Sequence, residues 1–235
     1  MQSKQLSIII PVLNDTAALC GLIKQVQAAK AGHIEIVVVD GGSDISPCAS
    51  IPEDADVICI TSEKGRANQM NAGADKATGH WLWFLHADST VDITAALGQI
   101  LSLPESRIWG RFDVRLSAKD WRLRIVAFMM NWRSRLTGIA TGDQGIFVRC
   151  EIFKQVGGFP QIPIMEDVAL SSMLKKCSRP FCSRQLITTS SRRWETNGVF
   201  KTMLLMWALR AAYAMGVSTQ RLVEFYKPCN PSTQH

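Results

Sequence analysis

"HWLWFLHADS", residues 80–89, decides how the rest of the chain is read. Large apolar side chains from Trp81 to Leu85 give way at once to His86, Ala87, Asp88 and Ser89. A continuous apolar run of this length suits a strand covered on both faces, as in a parallel sheet between helix layers. On a strand, residues two apart project to the same side, so the spacing sets His86 and Asp88 facing one way. A buried strand ending on an imidazole and a carboxylate has two readings. One is an ordinary surface turn; the other is a place where a cation and a phosphate are held.

The segments before it alternate strand and helix signals. "LSIIIPV" (6–12) reads as a buried strand closed by Pro11 and Asn14, and "DTAALCGLIKQVQAAKAG" (15–32) as a helix. Asp15 or Thr16 suits its N-cap, and Gly32 follows its end. "IEIVVVD" (34–40) and "DVICIT" (56–61) read as further strands, and "GRANQMNAGADKAT" (65–78) as a helix ending near Gly79. This order predicts a Rossmann-like α/β fold, with a mostly parallel, right-handed central sheet flanked by helices. Ligands of such sheets bind beyond the carboxyl ends of the strands. Pro11 to Asn14, Asp40 with Gly41 and Gly42, Ser62 to Arg66, and His86 with Asp88 all fall on that rim.

The second half is less regular. "KDWRLRIVAFMMNWRSRL" (119–136) reads as a basic amphipathic helix, "GDQGIFVRC" as a strand and "EIFKQVGGF" as a short helix ended by glycines. "PIMEDVALSSMLKKC" (163–177) has acids in its first turn and lysines in its last, the arrangement a helix dipole favours. "VFKTMLLMWALRAAYAMGV" (199–217) is strongly apolar, interrupted by Lys201 and Arg210. No repeat or linker divides the 235 residues, so one domain is expected. Within it, 1–90 would be a nucleotide-binding half, 91–198 an acceptor and catalytic half, and 199–235 a helical tail.

At 47% hydrophobic and 20% charged residues, the chain can build a packed core. The formal charge of +6 is concentrated. Residues 107–149 hold nine Arg or Lys against three acids, which fits anionic ligands or membranes as partners and equally ordinary solvated arginines on helix faces. Seven scattered cysteines without a CxxC pair, and only four histidines, suggest neither a zinc framework nor a disulfide lattice. Together with an N-terminal apolar run too short for a signal peptide or membrane span, this points to the cytoplasm. The segments 119–136 and 199–217 fit either a membrane interface or a core helix with arginine at its edge, so peripheral attachment at the inner face of the membrane stays open.

Several residue groups could carry chemistry, and each has a plain structural reading beside it. Asp40 before Gly41 can accept hydrogen bonds from a ribose or a uracil-like ring, or simply form a turn. Lys64 and Arg66 before a helix can attract phosphate, or be a solvated basic loop. Asp88 can hold a divalent cation against a diphosphate, and an imidazole nearby would favour Mn²⁺ over Mg²⁺. Glu166 and Asp167, adjacent at a helix start, point about 100° apart, so one can face a cleft as a base while the other bonds to backbone. Arg192, Arg193 and Trp194 can clamp a phosphate and stack on a ring, or form a surface pair beside a buried indole.

Taken in order, these pieces resemble a family 2 glycosyltransferase of the GT-A fold. "SIIIPVLND" is similar to that family's opening strand, which usually ends Pro-x-x-Asn-Glu. "IVVVDGGSD" resembles its Val-Asp-Asp-Gly-Ser stretch, "GHWLWFLHADS" its approach to the Asp-x-Asp metal motif, and "GGFPQIPIMEDVALS" its Gly-Gly-Phe turn and Glu-Asp motif. The resemblance implies transfer of one sugar, with inversion, from a UDP- or GDP-linked donor to an acceptor hydroxyl, assisted by Mn²⁺ or Mg²⁺. Pro11, Asn14, Asp40, Gly41, Lys64, Arg66, His86, Arg193 and Trp194 would bind the nucleotide sugar. Asp88 would hold the metal, and Asp167 or its neighbour Glu166 would be the base. No nucleic-acid partner is implied. Gly41 stands where the family often has a second aspartate, and His86 replaces the first aspartate of Asp-x-Asp. "SSRRW" departs from the Gln-x-x-Arg-Trp signature of processive synthases at Ser190. The "LHADS", "GDQGIFVR" and "MEDV" wording resembles a small bacterial subgroup associated with radical-SAM and arsenosugar or selenium functions. Two other readings use the same sheet. A nucleotidyltransferase would need a glycine-rich basic loop after the first strand, which "PVLNDTAAL" lacks. A non-catalytic nucleotide-sugar-binding protein would tolerate the missing first aspartate.

Overall fold

The computed structural model describes residues 5–29, 34–52 and 55–226. Gly32 and the end of the tail, 227–235, lie outside those residues. The first half forms β1 (Leu6–Val12), α1 (Thr16–Ala28), β2 (Ile34–Asp40), β3 (Val57–Thr61), α2 (Arg66–Lys76) and β4 (Trp81–Phe84). After it come β5 (Thr90–Val91), α3 (Ile93–Leu101), β6 (Trp109–Leu116), α4 (Trp121–Thr137), β7 (Phe147–Arg149) and α5 (Cys150–Gln155). The chain then forms α6 (Glu166–Cys177), β8 (Phe181–Thr189), α7 (Arg192–Asn197), α8 (Val199–Ala214) and α9 (Thr219–Phe225).

One eight-stranded sheet runs β3-β2-β1-β4-β7-β6-β8-β5. Strands β3, β2, β1 and β4 are parallel, as the alternation of strand and helix requires, and β6 pairs parallel with β8. Strand β7 is antiparallel to both β4 and β6, and β5 is antiparallel to β8. Buried side chains cover both faces of the first four strands. Ile8, Ile10, Val38 and Trp83 pack on the α1 and α3 side, and Ile9, Val37, Val39 and Leu82 on the α2 and α6 side. Gly73 brings α2 close to the sheet, since a Cβ there would lie 2.5 Å from Ile9 Cγ2.

Strand β1 does not close at Pro11 but runs through it to Val12, in register with Val39 and Asp40 of β2. Pro11 matters on the other side. The Leu85 N–H donates to Ile9 C=O at 3.0 Å, so Ile9, and Pro11 two residues on, turn their backbone groups toward β4. Pro11 has no N–H to continue that ladder. Pairing with β4 ends at Ile9↔Phe84, and the chain leaves the sheet at Leu85. The fourth strand is therefore shorter than the apolar run suggests, and His86 to Asp88 lie in a turn closed by Ser89 N–H on His86 C=O. The two-residue rule that would aim His86 and Asp88 alike does not apply there.

The cysteine spacing gave no hint of a disulfide, yet Cys48 and Cys59 are bonded, joining the 3-10 turn Pro47–Ser50 to β3. Strands β6 and β8 were also unannounced. The buried face of β6 includes Arg111, wholly enclosed and paired with Asp113, whose other oxygen takes Arg135 of α4 at 2.5 Å. This network and Asn131, which exchanges two bonds with the Val114 backbone, fix α4 against the sheet.

Candidate active site

The carboxyl ends of β1 and β2 are held together by polar side chains. Asp40 Oδ1 accepts from Gly42 N–H (3.2 Å), Ser43 N–H (2.9 Å) and Ser43 Oγ (2.7 Å), which shapes the loop after β2 and leaves Oδ2 outside that set. Asn14, at φ 53°, staples the loop after β1 to the same segment. It accepts from Asp44 N–H and donates through Nδ2 to Asp44 Oδ2, while its own N–H donates to Ser43 Oγ. Buried Gln69 of α2 donates to both Val12 C=O and Val39 C=O at 2.8 Å. The two glycines therefore serve different needs. A Cβ on Gly41 would sit 2.8 Å from Gln69 Cδ, whereas Gly42 adopts φ +90° with open space around it. Lys64 is exposed, and Gly65 (φ +136°) starts α2 so that Arg66 is its first residue.

The turn after β4 sends its two polar side chains to different neighbours. Asp88 borders a cavity of about 340 Å³ that Ala18, Gly21, Ser117, Thr189 and Arg192 also line. Its charge acts on Asp15 at the start of α1. Burial pushes the Asp15 carboxyl above its usual range; Asp88 adds to that, and Arg192 opposes it. His86 instead turns toward the 3-10 turn Gly142–Gln144. Its Nδ1 lies 3.4 Å from Asp143 Oδ1, and a Cβ on Gly142 would come within 2.6 Å of its Nε2. Burial works to raise Asp143, but its bond to His86 and the charges of His86, Arg66 and Arg210 hold it below the ordinary carboxylate value.

Helix α6 begins against this turn. Met165 stands before it in the left-handed region, at φ 68°, a strained conformation for a non-glycine residue that typically marks a constrained site. Glu166 and Asp167 then diverge as adjacent helical residues must. Asp167 accepts from Gly142 N–H at 2.8 Å through Oδ2 and from Val168 N–H through Oδ1. Glu166 is buried, and its carboxyl is pushed up to about 7, first by burial and then by the like charge of Asp167, against the pull of Arg66 and His86. A carboxylate with that affinity takes and releases protons near neutral pH.

Three arginines flank these acids. Arg66 keeps solvent contact while Glu166, Asp143, Asp167 and Tyr226 act on it. Arg210 of α8 acts on Asp143, and Arg133 of α4 lies between Asp167 and Arg210. Burial and the positive charge of Arg210 lower Arg133 to about 10, and its Nε and Nη2 are buried without a hydrogen-bond partner. Arg193 stacks 3.7 Å above the Tyr226 ring, which links it to Arg66; Trp194 packs instead against the cluster of Leu116, Leu123, Val126 and Val199. The sequence reading missed Asp15, Gln69, Asp143, Arg133 and Arg210. Only Asp15 carried a local signal, as the acid that ends "PVLND".

Among the described residues no three His, Cys, Asp or Glu side chains gather as a metal cage. Asp88, with Asp15 near it, offers oxygen donors only. That suits a hard divalent cation which completes its shell from diphosphate oxygens and water.

The chain matches the family model described as Glycosyl transferase family 2 over residues 7–155. A PGL/p-HBAD biosynthesis glycosyltransferase of Mycobacterium tuberculosis is 31% identical over 132 residues, which is 52% of each chain. An uncharacterized glycosyltransferase of the same organism is 37% identical over 163 residues, 65% of this chain and 62% of that one. The chain thus spans about half the length of the first of these relatives and under two thirds of the second. A mannosyltransferase of Pyrobaculum calidifontis, solved with GDP-Man and Mn²⁺, superposes with a TM-score of 0.59 at 17% identity over 97% of this chain and 66% of that one. Glucosyl-3-phosphoglycerate synthase of M. tuberculosis, solved with Mn²⁺, UDP and glucosyl-3-phosphoglycerate, gives 0.56 at 12% identity over 80% and 70%. At those identities the likeness speaks for the fold, which is that of the GT-A glycosyltransferases. By its matching sequence over residues 7–155, the chain belongs to glycosyl transferase family 2.

Proposed function

We propose that the protein transfers one sugar from a nucleotide-diphosphate donor to an acceptor hydroxyl, with inversion at the anomeric carbon. The observation that carries this reading is the division of labour between Glu166 and Asp167. One acid is buried, poised near neutrality and outside the bonds that anchor the turn, while its neighbour is committed to the backbone.

Asp40 Oδ2 is the atom available to the nucleoside, with Asn14, Pro11, Gly41 and Gln69 shaping the loops around it. Lys64 and Arg66 stand where phosphate oxygens would lie, at the first turn of α2. Asp88, with Asp15, would hold Mn²⁺ or Mg²⁺, which when bound supplies positive charge to the leaving diphosphate. Glu166 takes the proton from the acceptor hydroxyl as its oxygen bonds to the anomeric carbon and the bond to the diphosphate breaks on the opposite face. A single displacement of this kind needs one base and inverts the centre. Asp167 is a positioning residue in this scheme. It holds the turn whose Asp143 meets His86, and its charge helps keep Glu166 basic. The Mn²⁺ in both structural neighbours' complexes, with GDP-Man in one and UDP in the other, supports the choice of donor and cation.

The test is a thermal-shift and turnover screen of the full chain against UDP-, GDP- and dTDP-sugars with Mn²⁺, reading melting temperature and free nucleoside diphosphate. A true donor raises the melting point with the logarithm of its concentration above its dissociation constant. The expected result is one donor class that stabilises the protein only with Mn²⁺, an effect lost in Asp88→Ala. Full Mn²⁺-dependent turnover by Asp88→Ala would overturn the metal assignment. Binding without any diphosphate release, with or without acceptor, would leave a non-catalytic nucleotide-sugar-binding protein.

A further inference from the structure

We propose that helices α4 and α8 form a face that docks on an anionic lipid bilayer. On α4, Trp121, Ile125, Phe128, Trp132 and Leu136 recur at i, i+4, i+7, i+11 and i+15, one straight stripe along the helix. All five are exposed, Phe128 by 67% and Leu136 by 68% of their surface. This is not the stripe that builds the core, because α4 already buries Leu123, Val126 and Ala127 on its other side. Helix α8 repeats the pattern, with Phe200, Leu204 and Trp207 exposed, and Met215 just past its end, while Val199, Thr202 and Leu209 are buried. A helix resting on a globular core normally turns polar residues outward. Two neighbouring helices that both turn aromatic and aliphatic residues outward make an apolar surface of the kind that marks a membrane or partner site.

Charge selects the occupant. Of the seven Lys or Arg in residues 119–137 and 199–215, Arg133, Arg135 and Arg210 turn inward to Asp167, Asp113 and Asp143. Lys119, Arg122, Arg124 and Lys201 are exposed against a single acid, Asp120, which is paired with Arg122. A second copy seated on this face would bring like charges together. An anionic bilayer answers both features, since tryptophan and phenylalanine enter the boundary between headgroups and acyl chains while lysine and arginine meet lipid phosphates. Among the described residues no helix is long and apolar enough to cross a membrane, so the face lies on the bilayer rather than in it. The same two helices flank the site. Trp132 is followed by Arg133, which acts with Asp167, and Arg210, one turn after Trp207, acts on Asp143. A docked protein would therefore hold its catalytic acids beside the lipid surface. The docking itself does not depend on the glycosyl-transfer reading.

Co-sedimentation of the full chain with vesicles tests this, comparing 70:30 phosphatidylcholine:phosphatidylglycerol with pure phosphatidylcholine. Partitioning onto the anionic vesicles should be at least about tenfold stronger, and should weaken with added salt. Phe128→Ser with Trp132→Ser, and separately Phe200→Ser with Leu204→Ser, should each cut it by at least about tenfold at unchanged circular dichroism and melting temperature. These positions are exposed, so the fold does not depend on them. Failure to sediment with either vesicle would overturn the proposal. So would a dimer in light scattering that the same substitutions convert to monomer, because the face would then belong to a second copy. Neither failure touches nucleotide-sugar binding, which is read separately by thermal shift.

Discussion

The backbone amide of Gly142 donates to Asp167 Oδ2 across 2.8 Å, and through that bond an acid at the start of α6 positions the turn that carries Asp143 to His86. Asparagine at 167 keeps one side-chain oxygen for the Gly142 bond but loses the charge. Asp167→Asn should therefore reduce transfer by about tenfold or less, against a loss on the order of 10²–10⁴ for Glu166→Gln if Glu166 is the base. The charge of Asp167 also raises Glu166. The acidic limb of the pH profile in Asp167→Asn should accordingly move to lower pH, a change that loosened structure alone would not produce. A larger loss in Asp167→Asn than in Glu166→Gln would move the base to Asp167.

A base must be unprotonated to act. With Glu166 near 7, kcat/KM should rise with the slope of a single proton below about pH 7 and level off above it. The profile should flatten in Glu166→Gln, whose residual rate has no such group to titrate. A wild-type rate already at its plateau at pH 5.5 would place the working carboxylate in its ordinary range and exclude buried Glu166 from the proton transfer.

The same carboxyl weakens the fold as it ionises. Its affinity for a proton is higher in the folded chain, about 7, than the ordinary 4.5 of an exposed glutamate. Between those values the native state binds more protons than the unfolded one, so stability falls as pH rises from about 4.5 to about 7 and is flat above. The difference corresponds to about 3 kcal/mol at most. Glu166→Gln, neutral at every pH, should thus melt higher than the wild type at pH 8 and about equal to it at pH 4.5. An equal melting point at both pH values would mean that burial at 166 carries no such penalty.

Much of the nucleotide half was legible because its signals are local. The apolar runs of β1, β2 and β4 are long, β-branched or aromatic, and bounded by Asn14, Asp40 and His86. What failed there was a length rather than an identity. Pro11 looked like the end of β1 but in fact ends the pairing of β4, and this sends His86 and Asp88 to different neighbours. The second half hid its strands because β6 reads "WGRFDVRL", and an arginine inside a strand gives no sign of being enclosed until Asp113 and the Asn131 carbonyl are seen to meet it. The partners of Glu166 and Asp167 were out of reach for the same reason. Arg66, Arg133, Asp143 and Arg210 come from four separate segments, and only tertiary packing sets them around Glu166 and Asp167. The apolar faces of α4 and α8 were visible as composition, but which side each helix gives to the core was not.

The clamp formed by Gln69 gives the last prediction, because it joins two strand ends without touching solvent. Its amide nitrogen, Nε2, donates to Val12 C=O and Val39 C=O at 2.8 Å each, so β1 and β2 are tied where the loops bearing Asn14 and Asp40 begin. Leucine fills a similar volume but removes both side-chain bonds, while Val12 C=O keeps its bond from Gly41 N–H, and each lost bond costs about 1 kcal/mol. Gln69→Leu should lose about 2 kcal/mol by urea unfolding and weaken donor binding, since the loop carrying Asp40 loses that tie. Gly41→Ala presses on the same amide from the other side, with a Cβ 2.8 Å from Gln69 Cδ. The two substitutions act on one contact, so their effects on donor affinity should be less than additive in the double variant. Full additivity would show that Gly41 and Gln69 support the nucleoside loop independently, and that the clamp does not set its position.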